Sequence, residues 1–314
     1  MTVRRAVAYT MQALVKYHGL VDWGLRIPYH DSISVNTTCM KTEARIDDLR
    51  EGGVFIAGKP NGPANERLQA VAARLKEGAT ATSFRIDSRN VPTAKAKGIG
   101  YSSSAGAALT LLLHDRLVGG RPDMVALSRT ARLFAASASR SLVGGFSRLY
   151  AGADDEGTYA RRFAGRGEMD LRTVIIPLPS RVRTEDAHRE VLTSPFFKAR
   201  VESAQKRCDE MEKAILGNDI DSLGVLAEKD TLELHSLTMT GENRLIIMTE
   251  DTLRIIRRVR ELRSSGTKAY FSMQTGPSVF VNTSDRFEGA VLRAMRKLGY
   301  KAYLSGVGGE AAIL

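Results

Sequence analysis

Apolar and polar residues alternate through the first third of the chain. Residues 6–15 form an apolar run broken only by Thr10 and Gln12. Residues 31–38 alternate around Ile33 and Val35, as a strand with one buried face does, and 41–46 follow as a strand able to pair with them. The period then lengthens: over 65–76, Leu68, Val71 and Leu75 fall on one face of a helix. Residues 81–86 return to a strand, 89–104 read as a loop rich in Lys, Gly and Ser, and 105–114 as an apolar helix. Another helix is expected over 128–139, ending near Gly144 and Gly145. A short apolar strand over 173–179 is closed by Pro177 and Pro179.

Composition shifts near Ser180. Residues 195–217 and 221–235 carry the pattern of charged amphipathic helices. Thr249 caps a basic helix in which Leu253, Ile256, Val259 and Leu262 recur every third position, and Gly266 stops it. Strands over 268–273 and 278–282 flank a Thr275-Gly276-Pro277 turn, followed by a helix over 285–298 and a strand over 300–304. Helix, strand, turn, strand, helix, strand is the order of a ferredoxin-like half. No internal repeat and no low-complexity segment appears. Two domains are therefore expected, 1–182 and 183–314.

The length of 314 residues suits two domains, and 43% apolar with 26% charged residues is the balance of a soluble globular protein. No apolar run approaches the roughly 20 residues of a spanning helix. Arg4 and Arg5 precede the run at 6–15, but Lys16 ends it without a small-residue cleavage site, so it reads as a buried strand and not as a signal peptide. Cys39 and Cys208 are too far apart for a zinc pattern and too few for a disulfide framework, which points to the cytoplasm. Forty-six Lys and Arg against 35 Asp and Glu leave +11, so an anionic partner is expected. Residues 254–263 form a basic outer helix face and lack the interleaved aromatics of a nucleic-acid binder. A small polyanion is favoured over nucleic acid or a membrane.

The strongest local signal is Gly98-Ile99-Gly100-Tyr101-Ser102-Ser103-Ser104, opening onto a helix. Glycines let the backbone approach a phosphate, and a helix N-terminus offers free amides and the positive end of its dipole. The serines add hydroxyl donors, and Lys95 and Lys97 add charge. It is not a Walker loop, because no Gly-Lys-Ser/Thr follows.

Around it stand further motifs. Lys16-Tyr17-His18-Gly19, Leu25-Arg26-Ile27-Pro28 and Ser32-Ile33-Ser34-Val35 resemble the opening of mevalonate diphosphate decarboxylases. That family belongs to the GHMP superfamily of galactokinase, homoserine kinase, mevalonate kinase and phosphomevalonate kinase. Asn65-Glu66-Arg67 resembles the next family segment, and Val91-Pro92-Thr93-Ala94 with residues 100–107 resembles its phosphate loop, here lengthened by about four residues. Residues 137–145 resemble the segment with the catalytic arginine; 193–200 and Asp230-Thr231 with His235 resemble the C-terminal helices. The resemblance runs in order from about residue 8 to residue 282. It implies an α+β, two-domain GHMP-kinase-like fold, with an N-terminal domain of ribosomal-protein type and a ferredoxin-like, helical C-terminal domain.

Residue by residue, the resemblance places Lys16, Tyr17 and Arg67 on the substrate's 5-phosphate with Ser137 and Ser139 nearby. It places Lys97, Ser102, Ser103, Ser104, Asp230 and Thr231 among the binding residues. Arg140 would hold the carboxylate and the 3-oxygen; a planar guanidinium bridges two anions, which lysine does not. His18 stands where the family carries an aromatic and reads as packing; His235 reads as a hydrogen-bonded helix residue.

Two departures matter. Leu20 occupies the place of a family lysine, which suits a monophosphate better than a diphosphate. Gln274 replaces the aspartate that takes or orients the 3-hydroxyl proton, and an amide takes no proton near neutral pH. The sequence therefore resembles most the archaeal, Thermoplasma-type bisphosphomevalonate decarboxylases. The implied reaction is ATP-independent conversion of mevalonate 3,5-bisphosphate to isopentenyl phosphate, CO2 and phosphate, with Arg140 and Gln274 at the reacting centre and no cofactor or metal. An alternative is an ATP-dependent phosphomevalonate decarboxylase, with magnesium accompanying the nucleotide and Asp230 or Asp31 serving near O3. A mevalonate-type kinase and a basic RNA-binding protein are further alternatives. The family also admits a homodimer.

Overall fold

The computed structural model describes residues 4–47, 52–80, 84–94 and 96–314. Lys95 and residues 81–83, part of an expected strand, lie outside them. In chain order the elements are β1 (Arg4–Val15), β2 (Leu20–Asp22), β3 (Ile27–Pro28), β4 (Ser32–Asp47), β5 (Gly53–Ile56), β6 (Lys59–Pro60), α1 (Gly62–Leu75), β7 (Arg85–Val91), α2 (Tyr101–Leu117), α3 (Met124–Phe134) and α4 (Ala138–Val143). There follow β8 (Phe146–Tyr150), β9 (Tyr159–Ala164), β10 (Arg172–Ile176), α5 (Thr184–Glu190), α6 (Phe197–Leu216), α7 (Ile220–Thr240), α8 (Glu250–Ser264), β11 (Tyr270–Met273), β12 (Val279–Thr283), α9 (Asp285–Lys297), β13 (Tyr303–Ser305) and β14 (Ala312–Ile313).

The large sheet runs β14-β1-β4-β7-β5-β6, with β8 and β9 added alongside β4. A smaller sheet runs β11-β12-β10-β13. Strand β10, which precedes residue 182, sits inside the second sheet, and β14 returns to pair with Ala6 and Val7 in the first.

Residues 31–38 and 41–46 are not a pair of strands. They are one strand, β4, because both halves take β1 as neighbour: Arg4 to Tyr9 pair with Ile46 to Lys41, and Met11 to Val15 with Asn36 to Ile33. The register shift between the halves is fastened by Thr37, whose hydroxyl meets the Thr10 hydroxyl at 2.7 Å and donates to Thr10 O at 3.1 Å. At this point β4 also changes its other neighbour, from β8 to β7.

One face of the large sheet packs Ala6, Ala8, Ala44 and Ile86 against α1, α2, α3 and α4. Leu14, Val15, Ile33 and Val35 pack instead against α6 and α7. The second sheet is covered by α8 and α9. The helix expected over 128–139 is two helices, since Ala135 is extended at φ −160°. In α8 the buried face is Thr252, Ile255, Ile256, Val259 and Leu262, and Leu253 is 52% exposed. A three-residue spacing drifts off a face whose true period is 3.6. Strands β8 and β9 had no forecast.

Candidate active site

Helix α2 opens at Tyr101 rather than at 105. Its N-cap, Gly100, has φ +86° and supplies no side-chain cap. A Cβ there would stand 2.7 Å from Met11 O, so only glycine lets the loop lie against β1. The loop is equally close to the second sheet: a Cβ on Gly98 would meet the Gly276 backbone at 3.0 Å. Ser278 Oγ donates to Lys97 O at 2.6 Å.

A cavity of about 310 Å3 lies between this loop and the end of β1. Of the sequence-expected site residues, Lys16, Tyr17, Lys97, Ser102, Ser103, Ser137, Arg140 and Gln274 line it. The first turn of α2, uncapped by any side chain, faces it as an anion would require.

Arg140 sits on α4, 1% exposed, with its guanidinium carbon 5.5 Å from the Tyr17 ring centroid. Its Nε and Nη1 have no hydrogen-bond partner among the described residues. Burial lowers its pKa to about 10, so it remains cationic at neutral pH. A buried, lone guanidinium on a cavity wall is unfavourable without an anion. Burial also raises the Tyr17 phenol, which stays protonated and able to donate.

Lys16 is pulled the other way. Its Nζ donates to Asp230 Oδ2 at 3.1 Å and Thr231 Oγ1 at 3.2 Å. Asp230 is fully buried and also receives Arg200 at 2.6 Å and Arg207 at 3.2 Å. Burial alone would raise its carboxyl, but Arg200, Lys16 and Arg207 outweigh this and hold it well below the usual carboxylate range. Burial brings the Lys16 ammonium down to about 8 despite Asp230.

Several expected contacts are not what these side chains offer. Asp230 and Thr231 do not line the cavity; they anchor Lys16 from behind. Ser104 turns to the sheet, where its hydroxyl meets Thr42 Oγ1 at 2.7 Å, because the earlier start of α2 rotates it inward. Ser139 donates back to Ala136 O at 2.6 Å. Arg67 lies off the cavity, paired with Glu185 at 2.5 Å. Asp31 is bound to Arg148 at 2.7 Å, also away from it.

Gln274 is held by main chain. It accepts Ala13 N–H at 3.3 Å and donates to Met11 O at 3.1 Å and Gly98 O at 3.3 Å. Beside it Thr275 Oγ1 meets His18 Nε2 at 3.0 Å. His18 stacks on His188 of α5 with centroids 4.7 Å apart, and Gly19 N–H donates to His188 Nδ1 at 3.1 Å. Thr184, His188 and Thr275 all line the cavity and had no forecast. Thr275 was visible only as a turn residue, and the α5 residues carry no motif.

Residues 8–160 match the family model of the diphosphomevalonate decarboxylase-like N-terminal domain. Residues 182–303 match that of the mevalonate 5-diphosphate decarboxylase C-terminal domain. A phosphomevalonate decarboxylase of Haloferax volcanii is 36% identical, over 98% of this chain and 97% of its own length. A mevalonate 3,5-bisphosphate decarboxylase of Thermoplasma acidophilum is 28% identical, over 90% of this chain and 70% of its own. Among solved structures, mevalonate diphosphate decarboxylase from Staphylococcus aureus gives a TM-score of 0.88 at 26% identity, covering 99% of this chain and 98% of that one. These findings define a carboxy-lyase built on the GHMP kinase fold. The chain belongs to the mevalonate-pathway decarboxylases. Among the described residues no helix is long and apolar enough to cross a membrane.

Proposed function

We propose that the protein is an ATP-using phosphomevalonate decarboxylase, converting mevalonate 5-phosphate to isopentenyl phosphate, CO2, ADP and phosphate. One observation carries the reading: a single cavity joins the Arg140 and Tyr17 wall to the uncapped glycine loop at α2. A tertiary alcohol is a poor leaving group. Its oxygen has to be phosphorylated before the C3–O bond breaks, and the loop suits the donor's phosphates. The 36% identity to the Haloferax enzyme supports this reading over the ATP-independent one. The loop fits a triphosphate: its glycine positions leave no room for Cβ atoms, and Ser102 and Ser103 add donors. A magnesium ion arriving with the nucleotide would be held by the phosphates and these hydroxyls, and would neutralise phosphate charge.

Arg140 then bridges the substrate carboxylate and the 3-oxygen, and stabilises the phosphate as it departs. As positive character builds on C3, the carboxylate loses CO2 and its electrons close the double bond. The 5-phosphate end favours a monophosphate. Leu20, in the place of a family lysine, is buried and uncharged, so one cation fewer is on hand for a second phosphate.

A second reading, ATP-independent decarboxylation of mevalonate 3,5-bisphosphate, is favoured by Gln274, whose amide offers no base. Incubating the protein with mevalonate 5-phosphate, with and without ATP, and measuring CO2 separates the two. CO2 from mevalonate 5-phosphate with ATP, and only then, supports the main reading; no CO2 from it even with ATP, alongside CO2 from mevalonate 3,5-bisphosphate, supports the second.

A further inference from the structure

Among the described residues, no carboxylate lines the cavity. If O3 is phosphorylated here, its proton needs another acceptor. Gln274 cannot serve, because its amide is committed to three main-chain groups and is not basic. Lys16 is held as an ammonium by Asp230 and Thr231. His188 spends its basic nitrogen on Gly19 N–H.

His18 remains. We propose that His18 accepts the proton of the substrate's 3-hydroxyl through the hydroxyl of Thr275. The inference rests on the ATP-using reading above. Thr275 adjoins Gln274, so its hydroxyl lies one residue from the position where the family's carboxylate is expected. Its Oγ1 is 3.0 Å from His18 Nε2, and both residues line the cavity. His18 is 5% exposed, and the nitrogen that takes the proton, Nε2, is the one that meets Thr275 Oγ1.

The imidazole is neutral at physiological pH. Burial first, then His188 of α5 and His235 of α7, with Arg200 of α6 also facing it, hold its pKa well below the usual histidine value. The substrate's anions oppose the surrounding positive charge once bound.

The step balances. The O3–H proton passes to Thr275 Oγ1 while the Thr275 hydroxyl proton passes to His18 Nε2. O3 bonds to the γ-phosphorus of ATP as the bond to the β-phosphate oxygen breaks and ADP leaves. When the C3–O bond breaks, the departing phosphate takes the proton back from His18.

The test compares wild type with His18→Asn and Thr275→Val on two substrates. With mevalonate 5-phosphate and ATP, each variant is expected to lose kcat by about 10²-fold or more, with KM little changed. With mevalonate 3,5-bisphosphate, which needs no proton removed from O3, CO2 release should stay within about threefold of wild type. Equal loss on both substrates would mean a packing role for His18 and overturn the proposal. So would a His18→Asn variant keeping more than about a tenth of kcat with ATP. A second readout covers a wild type that does not take up the bisphosphate from solution. The acid limb of kcat/KM with ATP should vanish in His18→Asn, and an unchanged limb overturns the proposal. Wild-type CO2 release from mevalonate 5-phosphate without ADP would refute the ATP-using reading itself, whatever the variants do.

Discussion

The side-chain amide of Gln274 donates to the main-chain oxygen of Met11 at 3.1 Å and, through its oxygen, accepts from Ala13 N–H. Beyond Val7, where the pairing with β14 ends, this edge of β1 has no strand beside it among the described residues. One glutamine from the second sheet thus supplies the donor and acceptor that another strand would have offered. Its further bond to Gly98 O ties the glycine loop to the same point.

Gln274→Glu keeps the size and removes the donor, leaving Met11 O and Gly98 O facing a carboxylate. A buried polar group left unsatisfied costs about 1–3 kcal/mol. Denaturant unfolding should show a loss of about 2 kcal/mol or more, with a raised KM for ATP as the loop loosens. Unchanged stability and KM would dismiss the clamp.

Arg140→Ala should leave the fold intact and cut kcat by about 10²-fold or more, since it removes the group that meets the departing phosphate. Arg140→Lys should recover little, because an ammonium does not bridge two anions side by side. Circular dichroism with steady-state kinetics checks both. A variant above a tenth of the wild-type rate would remove Arg140 from this role.

His30, His188 and His235 are each brought down to about 4, chiefly by burial. An unfolded histidine titrates near 6.5, so between about pH 6.5 and pH 4 the unfolded chain binds protons that the native protein refuses. Stability is fully present above pH 6.5 and falls on acidification by about 1.4 kcal/mol per pH unit for each group. His30→Phe, outside the cavity, should flatten that slope by one proton in urea titrations at several pH values. A slope unchanged from wild type would contradict the assignment.

Much of this site could be read from residue types. The glycine loop, Lys16, Tyr17 and Arg140 carry motif spacing, and the structure brings all of them to one cavity. What the chain did not disclose depends on direction and distance. Ser104 and Ser139 look like Ser102 and Ser137 in a string of letters, but the helical turn aims them at protein and not at the cavity. β4 looked like two strands because a register shift at Thr37 interrupts its alternation. His18 was visible, and its meeting with Thr275, 257 residues away, was not.

The most direct test of the central claim uses mevalonate 5-phosphate labelled with 18O at the 3-oxygen, incubated with ATP and the purified protein. If O3 is phosphorylated and the C3–O bond then breaks, the label appears in inorganic phosphate, with one ADP and one CO2 formed per phosphate. Label released into water, or CO2 formed without ADP, would contradict the account.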